Sequence, residues 1–421
     1  MRGLRSALLG AMPLAVAVLF CACGGGSSGA AVAKADVARA PISDSAREDA
    51  KALAAAGDAS AWRLFGVLGT GQGNLFFSPF SISEAMAMVY AGARGDTAAE
   101  LEAGLGFAAL KDRTHPAFNA LDQSLAAAGG KGAFQLSIAN AAWGQQGHHF
   151  EQAYLQVLAA SYGSGVRLAE FIKAPESARK TINDWVSDQT ETRIKDLLPE
   201  GSVDAMTRLV LTNAIYFKAD WAATFEPNVT SKRPFTLLSG AAVTVDMMSQ
   251  QHSYAYVRSG DVEAVELPYV GGRIAMVILL PAEGRFESVQ AGLDAKRVSE
   301  LLGGMKSTGM SLSLPKFSFS SEFSLADALR QLGIKAAFQP LLADFSGIDG
   351  THDLFIQGVY HKAFVKVDEK GTEAAAATGV VAGATSAPGL NVTIDRPFIF
   401  LIRDNETEAT LFLGRVMDPT K

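Results

Sequence analysis

Cysteine is almost absent from this chain. Of 421 residues only Cys21 and Cys23 are cysteines, so everything after position 23 folds without a disulfide and depends on packing. No His-Glu-x-x-His and no Gly-x-x-x-x-Gly-Lys occurs, and no nucleophile elbow or dinucleotide fingerprint stands between a strand and a helix. The histidines are few and scattered. Only His148 and His149 are close in sequence, and adjacent residues do not share a chelating face, so neither a metal site nor a cofactor is expected. No dense Lys/Arg cluster exists and the net charge is −6, which argues against a nucleic-acid partner. The apolar run near the start, Leu8 to Phe20, is too short for a comfortable membrane span. What the chain has in quantity is apolar surface. At 48% apolar and 19% charged residues, a large core is easily filled.

The run from Leu8 follows Arg2 and Arg5, the arrangement of an export signal. Cys23 follows the small residue Ala22 and precedes Gly24-Gly25-Gly26-Ser27-Ser28-Gly29, which resembles a bacterial lipoprotein cleavage box. Residues 1–22 are therefore expected as a leader and 23–42 as a flexible tether, with Cys23 lipidated; an ordinary cleaved signal is the alternative. The expected address is the cell envelope or the extracellular space. From residue 43 to 421 no linker or repeat intervenes, so one domain is expected.

Helical periodicity covers Ala46–Leu68, Ile82–Ala93, Ala98–Gly104, His115–Ala127, Glu151–Tyr162 and Ala174–Thr190, with Ser81 and Ser83 as start signals for the second. Strand-like runs are Phe134–Ala142, Thr207–Phe217, Ala242–Met248, Val262–Pro268, Ile274–Leu280, Gly309–Pro315, Ala363–Val367, Pro397–Ile402 and Thr410–Val416. Helices dominate the first half and strands the second. The fold class is α+β.

The segment Asp368 to Thr378 stands apart. Its alanines favour helix, yet Gly371 opens the run and a Gly, Val, Ser and Pro mixture closes it. At period two, Thr372, Ala374, Ala376, Thr378 and Val380 form an uncharged face and Glu373 falls on the other. A strand with that face could enter a sheet without burying a charge, whereas a slip of one residue would bury Glu373. Gly371 gives access to backbone angles that other residues avoid.

Several motifs together resemble the serpin family across 43–421. They are Asn74 to Ile82, Thr212-Asn213 to Trp221, His361 to Glu373, Asp395-Arg396-Pro397-Phe398-Ile399-Phe400 and Leu411-Phe412-Leu413-Gly414. The resemblance implies three β-sheets, eight or nine helices and an exposed reactive loop at about 369–394. It implies an inhibitor and not an enzyme. A target serine protease would cleave the loop, form a covalent acyl-enzyme, and be carried across the molecule as the loop enters the largest sheet. The insertion of such loops is itself a known example of strand addition. About fourteen inserted residues at roughly 3.3 Å each would carry the protease ~45 Å.

By the same resemblance the hinge is Glu369, Gly371, Thr372, Glu373, Ala374, Ala375, Ala376 and Ala377. Ser78, Ser81, Asn213 and His361 form the cluster where the sheet opens, and Trp221 stands at the loop's entry point. Counting from the hinge places the scissile bond at Thr385-Ser386. Counting back from Pro397 gives Ser386-Ala387, and Ala384-Thr385 is a third candidate. All three put a small residue before the bond, and no Lys, Arg or aromatic residue occurs between Gly371 and Asp395. Elastase-like or subtilisin-like proteases fit such a bait. The alternatives are a cross-class inhibitor of papain-like cysteine proteases, or a non-inhibitory binding or chaperone-like serpin. The helix near His115 to Ala128 has almost no cations, so heparin-type activation is not expected. The expected state is a monomer, held to a membrane only through Cys23.

Overall fold

The computed structural model describes residues 30–129, 132–373 and 389–421. Six helices occupy the first half: α1 (Asp44–Leu68), α2 (Pro79–Tyr90), α3 (Gly95–Leu105), α4 (Thr114–Gly129), α5 (Gln152–Tyr162) and α6 (Pro175–Gln189). Shorter ones follow: α7 (Phe286–Gly292), α8 (Ala295–Gly303), α9 (Ala326–Gln331) and α10 (Ser346–Asp349). Helix α1 starts where the Ala46 N–H donates to Ser43 Oγ at 3.1 Å, with Asp44 in the positive first turn. Helix α2 begins earlier than its apolar period suggests. Ser78 is its cap, accepting from the Ser81 N–H at 3.1 Å, and Pro79 takes the first position, where a missing N–H costs nothing.

The early strands are β1 (Val32–Ala33), β2 (Leu75–Phe77), β3 (Phe134–Gln145), β4 (Val166–Ala169) and β5 (Leu209–Asp220). Next come β6 (Ser231–Thr236), β7 (Ala242–Ser259), β8 (Val262–Pro268), β9 (Ile274–Pro281), β10 (Lys306–Pro315) and β11 (Phe317–Ser324). The last are β12 (Gly358–Asp368), β13 (Gly371–Thr372), β14 (Leu390–Thr393), β15 (Phe398–Asp404) and β16 (Thr410–Val416).

These strands form two hydrogen-bonded sets. One has seven strands in the order β1-β4-β3-β5-β13-β12-β11. The other has nine, because the 18-residue β7 continues from one layer into the next: it pairs β6 and β10 first and β8 with its last residues. In the seven-stranded sheet β5 and β12 run parallel, from Val210 opposite Gly358 to Tyr216 opposite Phe364. Antiparallel β3 and β11 flank that pair. The core beneath includes Leu211, Ile215 and Phe217 of β5, fully buried with Val365 and Phe412. Each such side chain contributes about 1.5–3 kcal/mol by leaving water.

The tether expected over 23–42 ends earlier. Residues 30–42 touch the domain at several points: Val32 and Ala33 pair with β4, Ala35 is buried, and the Ala40 N–H donates to Ala160 O at 2.8 Å. Arg39 pairs with Asp122 and donates to Asn119 Oδ1 at 2.9 Å. Composition suggested a linker here, yet small alanines let this arm lie flat on the sheet edge, where it covers unpaired strand groups. Cys23 lies outside the described residues.

Candidate functional site

The site lies at the end of β5, where a two-residue strand is wedged between β5 and β12. In β13, Gly371 pairs with Asp220 and Thr372 with Ala219 on one side; on the other they meet Asp368 and Val367. Both pairings are antiparallel. A Cβ at Gly371 would stand 2.0 Å from Ala219 O, so close backbone approach demands glycine here, more than any special backbone angle does. Thr372 is buried, and its Oγ1 lies 2.7 Å from the Tyr269 hydroxyl.

Tyr269 stacks on Trp221 with ring centroids 4.5 Å apart. Trp221 in turn holds the start of the hinge: its Nε1–H donates to Asp368 O at 3.0 Å and its N–H to Lys370 O at 2.7 Å. Glu369 is fixed by Thr230 Oγ1 at 2.9 Å and Lys316 Nζ at 2.8 Å. Burial works against the Glu369 charge, but those two donors outweigh it and hold the carboxyl below its usual range.

Glu373 stands on the face away from Thr372, near Arg193, Lys218 and Lys366, but that face is not open. It is buried beside Arg193, with Nε 2.6 Å from Oε1. The strand stops at Thr372, Glu373 takes a φ of +51°, and the segment carrying Arg193 covers its side chain. Burial pushes its carboxyl up despite the Arg193 charge, and Oε2 finds no partner among the described residues. The hinge residues Ala374 to Ala377 and the bond candidates Ala384, Thr385, Ser386 and Ala387 lie outside the described residues.

Further down the sheet, Ser78, Ser81, Asn213 and His361 come together, all fully buried. His361 Nε2 accepts from the Ser78 N–H at 3.1 Å, so the ring proton sits on Nδ1 and is donated to Asn213 Oδ1. Asn213 Nδ2 donates to Ser81 Oγ at 2.6 Å and also to Asn140 Oδ1 on β3. Asn140 Nδ2 continues to Glu84 Oε2 at 2.7 Å. Burial drives His361 down to about 3, so the ring is neutral. The contact between His361 and Asn213 crosses from β12 to β5, the Ser78–His361 bond ties β12 to the cap of α2, and the remaining bonds tie β3 and β5 to α2.

Asn140 was not among the residues the sequence singled out, and Glu84 was read only as part of the start signal of the second helix. The available signal was a polar residue inside an apolar run, but their meeting across 56 positions was not legible. No grouping of His, Cys, Asp and Glu suited to a metal occurs among the described residues.

Residues 56–419 match the family described as Serpin (serine protease inhibitor). The chain is a serpin. Leukocyte elastase inhibitor of Homo sapiens is 40% identical over 357 residues, spanning 82% of this chain and 93% of that protein. An uncharacterised serpin-like protein of Thermococcus kodakarensis is 40% identical over 361 residues, 85% of this chain and 83% of that one. Among solved structures, uncleaved ovalbumin aligns with a TM-score of 0.80 at 26% identity, covering 87% of this chain and all of that one. A thermophilic serpin in the native state, tengpin, aligns at 0.81 and 28%, covering 93% of this chain and all of tengpin's. The α+β serpin fold is thereby established for this chain. In this serpin the wedge at β13 and the polar cluster lie on one seam, that between β5 and β12.

Proposed function

We propose that this serpin is a suicide inhibitor of serine proteases, working by insertion of its cleaved loop between β5 and β12. The observation that carries the reading is β13: Gly371 and Thr372 already lie antiparallel to both strands. Each residue further along the loop would move one position back along β5 and one back along β12. Ala374 would face Phe217 and Val365, Ala376 would face Ile215 and Ala363, and Thr378 would arrive opposite Asn213 and His361. That set is the uncharged face read from the sequence. Glu373 would then stand between Lys218 and Lys366, whose charges already reach it.

In the chemistry, the protease's serine oxygen attacks the carbonyl before the scissile bond. The new amino terminus leaves with the proton, and an ester joins inhibitor to enzyme. Insertion must outrun hydrolysis of that ester. A small residue at Ala384, Thr385 or Ser386 suits the shallow pocket of elastase-like or subtilisin-like targets, and the likeness to leukocyte elastase inhibitor supports the first of these.

Incubation with elastase and with subtilisin should yield a complex that survives SDS and boiling, and mass spectrometry of it identifies the bond. Clean loop cleavage without complex would refute inhibition. We further propose that the chain is exported and lipidated at Cys23, which mass spectrometry of the mature amino terminus tests.

A further inference from the structure

We propose that Glu84 is a positioning residue of this gate, gripping the β3–β5 half of the sheet onto helix α2 through Asn140. The inference rests on reading the β5–β12 seam as the one that opens.

Helix α2 holds both sides of the seam. Its cap residue Ser78 holds β12 through His361, and Ser78 Oγ also donates to Leu411 O at 2.6 Å. On the other side, Ser81 Oγ donates to Asn140 Oδ1 at 2.9 Å, and Asn140 Nδ2 donates to both Ser81 O at 3.1 Å and Glu84 Oε2 at 2.7 Å. For β5 and β12 to part, at least one half must slide on α2. The donors all point one way: His361 to Asn213, Asn213 to Asn140, Asn140 to Glu84. Glu84 is the terminal acceptor of that buried chain. Removing it leaves an Asn140 donor with one fewer partner, and chains of this kind act cooperatively.

The other charged and titratable groups near Glu84 come from three packed segments. They are Asp122 on α4, Arg39 from the amino-terminal arm and Tyr162 on α5, itself bonded to His115 at 2.8 Å. Burial, aided by Asp122, pushes the Glu84 carboxyl up to about 8 against the weaker pull of Asn140 and Arg39. The closed sheet therefore holds a proton that an opened, hydrated gate would release. By linkage, opening becomes easier as pH rises towards and through that value. His361 and His115 titrate far lower, at about 3 and about 4, and no cysteine lies after residue 23 to add a thiol in this window.

The test is the rate at which the full chain takes up a labelled synthetic peptide of the sequence Thr372 to Thr385, from about pH 6 to about pH 9. Wild type should accelerate at least about threefold across that range. Glu84→Gln, which copies the protonated carboxyl and its bond to Asn140, should abolish the slope. Glu84→Ala should take up peptide faster at every pH, also without slope. A slope that survives in Glu84→Gln, or an alanine variant no faster than wild type, overturns the proposal. Amide exchange over 210–216 and 358–364, compared between variants at each pH, reports seam opening directly. It therefore decides the role of Glu84 even where peptide uptake, and with it the inhibitory reading, fails.

Discussion

The hydroxyl of Thr372 meets the hydroxyl of Tyr269 at 2.7 Å, so the first inward residue of the hinge is already bonded inside the sheet. A charge at that position has nowhere to go. Thr372→Arg would bury an unpaired guanidinium at a cost of several kcal/mol, on the order of 3–5, and would unseat β13. The stoichiometry of inhibition should rise at least about tenfold as the loop is cleaved faster than it enters, since 1.4 kcal/mol already corresponds to a factor of ten. Titration of elastase by the variant checks this.

Gly371→Ala tests close approach alone. With Ala219 O 2.0 Å from the new Cβ, β13 must leave its place. The amide of Glu373, which donates to Lys366 O at 2.9 Å, should lose its protection from hydrogen exchange while the rest of β5 keeps its own.

Nicking the reactive loop should raise the melting temperature by tens of degrees, because insertion adds a central strand whose uncharged face would meet the core beneath β5 and β12. A native chain and its nicked form, compared by calorimetry, separate an inserting serpin from one whose loop stays outside. An unchanged melting temperature would favour the binding or chaperone-like alternative.

His361 gives the native state an acid weakness. Its folded pKa is depressed to about 3 from an ordinary 6.5. The unfolded chain therefore takes up the proton first, and stability is full above about pH 6.5 and lost progressively as pH falls towards 3. His361→Gln should flatten that loss. Urea midpoints at about pH 7.5 and about pH 4.5 check it, with the variant less sensitive than wild type.

Much of the fold could be read from periodicity. The α1 and α5 ends fall within two residues of the expected ones, and β8 has the expected bounds. The strands β1, β2, β4, β6, β11 and β14 were not expected. β11 alternates Phe317, Phe319 and Ser321 inward, but its serines give the run the polarity of a loop. β14 exists because Met310 to Ser313 offer a parallel edge eighty residues earlier, which no local pattern reveals. In the site, the inward place of Thr372 was legible because one strand carries the alternation. The burial of Glu373 was not, since Arg193 approaches from 180 positions away.

The seated pair Gly371–Thr372 also dictates how the seam would yield. Because the gap already exists at one end, parting would advance like a zipper from Tyr216 and Phe364 towards Val210 and Gly358, one rung at a time. Speed would then belong to the first rungs and permanence to the last. Substitutions near Tyr216 should alter how fast a protease is caught, and those near Val210 how long it stays caught.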